Sequence, residues 1–531
     1  MTIAGATPAL PHLDPAAEAC EARAHDLYFN RHDWAGALIQ WRIRAKLGPP
    51  TIETQLALAH CEIVAGASRD HPEIGLADPV AASNGRLADY AQLVRTCVTA
   101  YLMQADGVYS AKLARLLTAV DPHFRSVYVR QILPRSEGSS IEIPEPPIDP
   151  EPLPFERAFP MSRDAMDAVI ARHAGRGVLL VARHIVRGVE DTLSGYLRTS
   201  LEALNLPVRI VESHSVDPDE VARVPDLLRA AIDAFRPHAI VVLDALVSGA
   251  TAYSPVLPAI LSVLHDARRR WGTKIVFSYT DAWYGGMPAL LDAIADQADL
   301  IHVIFAGLSS RVAPRVAAKL FCHPYPCPDL LSAGAAPPAS GTRAGFVGGL
   351  SWSNQSRLAW WAEIKRLDLP IELRFNNIAG MLTPVEYAEL IANYPISLDF
   401  TARISGDQVL TLRAIEAPWY GSLLLSEAAA DTAYFMRPYE HYVPFATLAQ
   451  LEGRLRILME NAPLRARITR AGTAWVKKQF GARQFWARLF DRLEGSPAVA
   501  PTPPTLRLDN LALSIPSSPA TYAVFARPLA A

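Results

Sequence analysis

Residues 177–307 alternate between short apolar runs and amphipathic stretches of helical periodicity, and this alternation is compatible with few folds. The apolar runs are rich in Val, Ile and Leu, and they cover 177–183, 207–213, 238–246, 274–281 and 300–307. Strands that are apolar on both faces are typical of a parallel sheet with helices on both sides. We therefore predict a Rossmann-like parallel sheet in a domain spanning residues 166–325.

The alternation begins again after a Pro-, Ala- and Gly-rich stretch at 323–343. New strands are expected at 344–350, 371–375, 395–400 and 421–426. This pattern predicts a second Rossmann-like domain at 340–494, and so an α/β fold with two tandem parallel-sheet domains. Because ligands of open parallel sheets bind beyond the carboxyl ends of the strands, two such sheets facing each other would share one cleft.

The chain before residue 134 has a different pattern, with one helical stretch after another. Residues 33–38, Asp-Trp-Ala-Gly-Ala-Leu, resemble the junction between the helices of a tetratricopeptide unit. No clean period of about 34 residues runs through this region, so a plain helical bundle is an equal alternative. We expect an all-α, tetratricopeptide-like domain at 1–133, an extended Pro-rich linker at 134–165 and a disordered tail at 495–531.

Composition argues against several classes of function. Lys and Arg number 51 against 53 Asp and Glu, a balance that gives no support to nucleic-acid binding. Five scattered cysteines fit free thiols in a reducing compartment. The uncharged stretch 245–264 contains Pro255 and Pro258, which argue against a transmembrane span, and the N-terminal residues lack a signal-peptide pattern. We expect a cytoplasmic protein without a transmembrane segment.

The segment 408–445 carries the most informative spacing in the chain. It contains an R-x-x-E-A-x-x-x-G pattern, a strand, a small-residue turn and an H-x-V-x-F stretch; the matching residues are Arg413, Glu416, Ala417, Gly421, Asp431, His441, Val443 and Phe445. Over about 340–493 the chain resembles the CgeB-like, group 1 glycosyltransferases of the GT-B fold. The resemblance implies a nucleotide-sugar donor on the second sheet, an acceptor entering from the first sheet, retention of anomeric configuration and no metal requirement.

Glu416 is the central candidate for donor binding. It lies between Ile415 and Ala417 in an apolar helix, where a carboxylate needs a partner. The resemblance implies that it binds two ribose hydroxyls, and an ion pair with Arg413 on the same helix face is the alternative. Many retaining relatives carry a second glutamate eight residues earlier, and here that position is Gln408, which can bond a sugar hydroxyl but cannot act as an anion.

Two small-residue turns are candidates for close approach to the donor. Gly348 and Gly349 follow the first strand of the second sheet, although a plain tight turn explains two glycines equally well. Asp431 and Thr432 come after a later strand, where a helix begins. Free backbone amides at such a helix start favour a diphosphate or sugar hydroxyls.

A cation near the donor would stabilise the leaving nucleoside diphosphate, which gains negative charge as the glycosidic bond breaks. Arg357, in the first turn of the helix expected at 354–367, is the candidate phosphate partner. Arg403 and Arg413 compete for the same role, and Arg413 is also a candidate catalytic residue.

The first sheet contributes candidates for the acceptor side. His184 follows the first strand and is a candidate for contacting the transferred sugar; a histidine bonded to backbone is an equal alternative. Asp281 ends the strand at 274–281, beside aromatic residues suited to stacking on a sugar. We therefore include His184 and Asp281 with Arg413 as candidate catalytic residues.

The sequence gives no support to a metal site. Asp217-Pro218-Asp219 precedes a helix and is expected to cap it, and Cys322 and Cys327 lack a second ligand pair nearby. We expect no cofactor other than the nucleotide-sugar co-substrate, whose base the sequence does not identify.

Together with these residues, the resemblance implies a glycosyltransferase of hexosyltransferase type that moves a sugar from a nucleotide sugar to a hydroxyl of a glycan or protein. The helices at 1–133 are a candidate surface for a protein partner. Two alternatives stay open. One is a nucleotide-sugar epimerase of the same fold, and the other is a non-catalytic sugar- or protein-binding module that acts through its helical domain.

Overall fold

The structure is a computed structural model, and it describes residues 16, 19–20, 23–24, 34–47, 58, 94–95, 98, 107–134, 141–147, 150–183, 185–186, 189–213, 218–243, 256–280, 287–331, 342–348, 356–375, 382–402 and 408–495. The described residues divide into two compact units. The first unit contains the described residues up to Pro134 and the described residues within Asn354–Leu369. The second unit contains the other described residues.

The elements up to the end of the first sheet are, in chain order, α1 (Trp34–Lys46), α2 (Gly107–Val120), α3 (Pro122–Val127), α4 (Pro154–Ala158), α5 (Arg163–Arg172), β1 (Val178–Ala182), β2 (Ile185–Val186), β3 (Val189–Glu190), α6 (Thr192–Glu202), β4 (Val208–Glu212), α7 (Pro218–Phe235), β5 (Ala239–Leu243), α8 (Leu257–Trp271), β6 (Lys274–Tyr279), α9 (Met287–Ile294), β7 (Leu300–Val303), α10 (Pro314–Ala317) and β8 (Leu320–Cys322). A π-helical turn follows α3 at Tyr128–Ile132, and short 3₁₀ turns lie at Ala295–Gln297 and Ala306–Ser310.

The later elements are β9 (Ala344–Gly348), α11 (Ser356–Arg366), β10 (Ile371–Phe375), α12 (Pro384–Asn393), β11 (Ile396–Asp399), α13 (Arg413–Trp419), β12 (Leu423–Glu427), α14 (Ala430–Phe435), β13 (Val443–Phe445), α15 (Leu448–Glu460), α16 (Ala462–Gln479) and α17 (Ala482–Gly495).

The first unit is helical. Its helix α2 packs against α11, and the fully buried carboxylate of Glu363 lies between them. Arg115 of α2 donates to both oxygens of Glu363, at 3.0 and 3.2 Å, so the buried charge is paired. This confirms a helical region before the sheets. The tetratricopeptide resemblance begins at Asp33, outside the described residues, and stays a prediction.

The first sheet of the second unit contains, among the described residues, six parallel strands in the order β4-β1-β5-β6-β7-β8. Every residue of β1 and β5 is buried, as the apolar runs predict. Leu179 of β1 and Ile240 of β5 pack with Leu261 and Leu264 of α8 in one core cluster. The order of the strands reverses between β1 and β5, since β4 lies on the far side of β1.

The second sheet has, within the described chain, five parallel strands in the order β10-β9-β11-β12-β13. Its β11 and β12 are fully buried, and the order reverses between β9 and β11. Helix α12 begins with a capping box, in which the Thr383 hydroxyl accepts from the amide of Glu386 while the Glu386 carboxylate accepts from the amide of Thr383. The predicted fold class, two tandem Rossmann-like parallel sheets after a helical region, is confirmed.

The predicted linker at 134–165 is partly packed and partly helical. It contains α4 and the beginning of α5, and Leu153 and Phe155 are buried. The ring of Phe155 lies 5.1 Å from that of Phe480 and 5.4 Å from that of Phe435, between centroids. The expectation of an extended linker is therefore wrong for this part, because its aromatic side chains take part in a core cluster of the second unit.

Helix α17 packs against α5 and joins the core of the first sheet, although it follows the second sheet in the chain. The indole Nε1 of Trp486 donates to the hydroxyl of Ser200 in α6 at 2.8 Å. The sequence pattern predicts one domain at 340–494. That boundary stays a prediction, and the structure adds that the last helix of this range covers the first sheet.

The uncharged stretch 245–264 is described from residue 256 onward, where it enters α8. The buried side chains of Leu257, Ile260 and Leu264 show that this helix packs on the first sheet. Among the residues that the structure describes, no helix is both long enough and apolar enough to cross a membrane.

Candidate functional site

The carboxyl ends of β9 and β11 meet where the strand order of the second sheet reverses, which is the place where open parallel sheets bind ligands. Gly348 ends β9 and Asp399 ends β11. Asp399 is fully buried, and its Oδ1 accepts from the Thr411 hydroxyl at 2.8 Å. Asp399 is not among the residues predicted from the sequence, although its position at the end of a buried strand is a usable signal.

Arg413 connects these two strand ends. Its Nη1 donates to Oδ1 of Asp399 at 3.1 Å, its Nη2 donates to the carbonyl of Val347, and its guanidinium lies 4.4 Å from the centroid of the Phe346 ring. Arg413 is almost fully buried, so the ion pair with Asp399 compensates for the desolvation of its guanidinium charge. The alternative of an Arg413–Glu416 ion pair is therefore wrong, since the guanidinium pairs with Asp399.

Gly348 gives the Arg413 side chain its space. A Cβ at this position would lie 2.7 Å from Nη2 of Arg413 and 2.9 Å from Cζ of Phe346, closer than carbon atoms normally approach. A side chain at this position would therefore force Arg413 or Phe346 to move. Gly349, its predicted partner in the turn, lies outside the described residues.

Glu416 is buried in α13 and accepts two hydrogen bonds from tyrosine hydroxyls. Tyr196 of α6 donates to Oε1 at 2.8 Å, and Tyr387 of α12 donates to Oε2 at 2.7 Å. Burial raises the pKa of Glu416, and the two phenol donors oppose that shift. The tyrosines therefore occupy the oxygens for which the resemblance implied ribose hydroxyls. Neither tyrosine was identified from the sequence.

Glu427, at the end of β12, anchors the backbone after β11. Its Oε2 accepts from the amides of Thr401 and Ala402 at 2.8 and 2.9 Å. Gln408, half-buried, forms an isolated antiparallel bridge with Ala402. The buried carboxylate of Glu427 thus fixes the backbone against which Gln408 pairs, and Glu427 is not among the residues predicted from the sequence.

Asp431 is buried at the start of α14 and contacts both halves of the second unit. Its Oδ1 accepts from the amide of Gly307, in the 3₁₀ turn that follows β7, at 3.2 Å, and its Oδ2 accepts from the amide of Leu410 at 3.4 Å. Burial raises the pKa of Asp431 to about 6 in spite of these donors. Its carboxylate thus links the first sheet to the residues that precede α13.

Thr432 is fully buried, and its hydroxyl has no hydrogen-bond partner among the described residues. A buried hydroxyl without a partner costs free energy, and it would gain a hydrogen bond from a ligand that reached it. Of the predicted donor-binding residues that the structure describes in the second unit, Thr432 is the one with a buried side-chain hydroxyl that has no partner.

His441 and Gly421 belong to the spacing pattern of 408–445, and the structure gives each of them a structural role. His441 Nδ1 accepts from the amide of Arg437 at 3.0 Å, and its ring stacks on Trp475 at 4.7 Å between centroids. Burial lowers the pKa of His441 to about 4, so the ring is neutral near pH 7. Gly421 has a φ of 86°, a left-handed conformation that glycine adopts without strain, between α13 and β12.

The remaining predicted residues are not joined to this site by the described contacts. His184, Asp281 and Arg403 lie outside the described residues, so their roles stay predictions. Arg357 is buried in α11, which belongs to the first unit. Among the described residues, no group of three or more His, Cys, Asp or Glu side chains is arranged to hold a metal ion.

Residues 343–491 match the model of a family described as glycosyl transferase-like. The matched residues include β9 and the whole of 408–445. This confirms the resemblance at the level of a glycosyltransferase-like family for this part of the chain, and the CgeB-like subgroup stays a prediction. A comparison with curated proteins finds no match.

Several solved structures are distantly similar. The Anabaena protein HepE in complex with UDP-glucose is 11% identical, with a TM-score of 0.40 over 59% of this chain and 98% of that chain. Sucrose-phosphate synthase from Thermosynechococcus elongatus is 13% identical, with a TM-score of 0.41 over 61% and 100% of the two chains. A mutant O-GlcNAc transferase from Thermobaculum terrenum is 10% identical, with a TM-score of 0.34 over 91% and 99%.

Proposed function

We propose that the protein is a glycosyltransferase that moves a sugar from a nucleotide-sugar donor to a hydroxyl of a glycan or protein acceptor. The match of residues 343–491 to the glycosyl transferase-like family carries the proposal. This region contains the reversal point of the second sheet, where a ligand is expected, and the buried polar residues around it. We propose further that the nucleotide sugar is the co-substrate and that no metal or other cofactor takes part.

We assign the donor to the carboxyl-end edge of the second sheet. The unpartnered hydroxyl of Thr432 supports a contact with a donor oxygen there. Glu416 is assigned to the ribose, whose two hydroxyls would replace the hydroxyls of Tyr196 and Tyr387 one for one. In this assignment the donor competes with the tyrosines for the carboxylate.

The proposed reaction retains anomeric configuration. The bond from the sugar C1 to the diphosphate oxygen breaks, a bond from C1 to the acceptor oxygen forms on the same face, and the acceptor proton passes to the departing diphosphate. Because Asp399 pairs with its charge, Arg413 is a positioning residue in this proposal, shaping the strand ends beside Gly348. His184 and Asp281 are proposed to orient the acceptor. The protein supplies positioning and charge stabilisation.

The test is thermal denaturation of the full chain with UDP-, GDP-, ADP- and dTDP-sugars, followed by a transfer assay with the sugar that stabilises it. A ligand that binds the native state raises the melting temperature by mass action. The informative variant is Thr432→Val. Its hydroxyl has no protein partner to lose, so we expect the stability of the free protein to be kept and the donor-induced shift to fall.

Thr473→Val is the matched control, since it removes a hydroxyl that donates to the carbonyl of Pro418 at 2.7 Å. We expect it to lower the melting temperature without changing the donor-induced shift. If no nucleotide sugar stabilises the folded protein, the proposal fails. Donor binding without transfer to any acceptor would favour the binding-module alternative, and interconversion of the free donor would favour the epimerase.

A further inference from the structure

A cavity of about 810 Å³ lies in the second unit, on elements that take no part in the candidate donor site. The end of α4, the beginning of α5, the end of α16 and the beginning of α17 line it. Its volume is within the range of small-molecule sites, and far exceeds the space of one water molecule.

The lining of this cavity is strongly basic. Five cationic side chains line it, Arg163, Lys477, Lys478, Arg483 and Arg488, against the single carboxylate of Glu156. Two of these cations pair with exposed carboxylates: Lys477 lies 3.6 Å from Asp329, and Arg483 lies 2.9 Å from Asp167. Such exposed pairs contribute little and leave the local potential positive.

Arg488 is the buried cation of this group. Its Nη1 and Nη2 donate to the carbonyl and side-chain oxygens of Gln479, each at 2.7 Å, and Nη1 also lies 3.1 Å from Nε2 of His323. Its guanidinium lies 5.1 Å from the centroid of the Phe155 ring, and its Nε has no partner among the described residues. No carboxylate of the described residues forms an ion pair with it, and a buried charge without a counter-ion is costly.

The first turns of two helices reach the same cavity. Arg483 pairs with Asp167 near the beginnings of α17 and α5, while Arg172 pairs with Glu494 near their ends, so the two helices run parallel. Ser162 and Arg163 at the start of α5, and Arg483 and Gln484 at the start of α17, line the cavity. Both helices therefore add the positive ends of their dipoles to the basic side chains.

We propose that this cavity binds a phosphorylated small molecule, whose phosphate groups supply the counter-charge for Arg488 and for the cations of the rim. The cavity is separate from the donor site. On one side it is lined by α16, which packs on β12 of the second sheet, and on the other side by α5 and α17, which pack with the first sheet. A bound organic phosphate therefore contacts helices that belong to both sheets.

The test is calorimetric titration of the full chain with pyrophosphate at constant ionic strength. We expect saturable binding with a Kd of about 1 mM or tighter. The variant Arg163→Gln/Lys478→Gln removes two rim charges that form no ion pair with a described residue, and we expect it to weaken binding at least about tenfold. Gln484→Glu, which places a negative charge at the start of α17, should weaken binding similarly.

The matched control is Arg229→Gln/Arg456→Gln, which removes two exposed charges from helices outside the cavity. It should leave the pyrophosphate affinity unchanged. The proposal is overturned if no binding is measured, or if control and cavity variants weaken it equally, which would indicate unspecific attraction. It is also overturned if Thr432→Val abolishes binding while the cavity variants do not, because pyrophosphate would then occupy the donor site. Failure of the donor assignment leaves this test unaffected.

Discussion

The hydroxyl of Tyr196 donates to Oε1 of Glu416 at 2.8 Å, so a helix of the first sheet is bonded to a buried carboxylate of the second. The hydroxyl of Tyr387, in helix α12 beside the second sheet, donates to Oε2 of Glu416. The carboxylate that is assigned to the donor ribose thus accepts one hydrogen bond from a tyrosine hydroxyl on each of its oxygens.

Tyr196→Phe separates a structural role of Glu416 from a binding role. Loss of the hydroxyl leaves a buried carboxylate oxygen without its donor, and we expect the free energy of unfolding to fall by about 1–3 kcal/mol. We also expect the Kd for the donor to decrease, because a ribose hydroxyl no longer competes with the phenol. Calorimetric titration of the stabilising sugar nucleotide measures this.

Tyr128→Phe is its control, since the Tyr128 hydroxyl donates at 3.4 Å to Oε1 of Glu363, a buried carboxylate of the first unit that takes no part in the candidate donor site. It should lower stability and leave the donor affinity alone. An unchanged affinity in Tyr196→Phe, with the stability loss present, would show that Glu416 serves only to hold the helices together.

Asp399→Asn tests the buried ion pair at the strand ends. The change leaves the guanidinium of Arg413 buried without a counter-charge, and we expect the free energy of unfolding to fall by about 3–5 kcal/mol. Glu452→Gln removes an exposed partner of Arg456 and should cost about 1 kcal/mol or less. Chemical denaturation followed by circular dichroism compares the two, and equal losses would contradict the structural account of Arg413.

Gly348→Ala tests the packing beside Arg413. The added Cβ would meet Nη2 of Arg413 at 2.7 Å, so the guanidinium must move away from Asp399 or the strand end must shift. We expect a loss of about 1–3 kcal/mol and weaker donor binding. Gly495→Ala, where a Cβ meets nothing within 4 Å, should be nearly neutral. An alanine at 348 that left both stability and donor affinity intact would refute this packing.

Asp431→Asn tests the raised pKa of a buried acid. Between pH 3.8 and about 6 the folded chain keeps a proton on Asp431 that the unfolded chain releases. The contribution of this group to stability is therefore present below this window and is lost as the pH rises through it. We therefore compare the free energy of unfolding of the natural chain with that of Asp431→Asn at each pH. From acidic to neutral pH, the natural chain should lose up to about 3 kcal/mol more than the variant. Parallel pH profiles of the two proteins would contradict the burial of this carboxylate.

The strands could be predicted because local sequence carries their signal. Val178–Ala182 and Ala239–Leu243 are continuous apolar runs, and the structure buries every residue in them. Gly421 belongs to the R-x-x-E-A-x-x-x-G spacing pattern, and its left-handed φ explains why glycine occupies that position. Periodicity and turn chemistry act within a few residues of each other, which is why a single sequence is enough to identify them.

The contacts of the site could not be predicted in the same way. Tyr196 and Glu416 are separated by 220 residues, and nothing in the neighbourhood of either one identifies the other. Arg413 contacts both Asp399 and the carbonyl of Val347 because β11 and β9 are neighbours in the sheet, and local patterns do not determine strand order. For the same reason the sequence pattern groups α17 with the second sheet, since an amphipathic helix has the same periodicity whichever sheet it covers.

The return of α17 to the first sheet has a consequence for any attempt to divide this protein. Phe485, Trp486 and Phe490 complete a core whose other residues, such as Leu197 and Leu201, lie almost 300 positions earlier. A fragment that stops after the first sheet would leave those leucines facing water, and a fragment that starts at the second would carry a helix with an uncovered aromatic face. Expression of either half alone is therefore expected to yield aggregated material, while fragments co-expressed from a break at an exposed loop should reassemble.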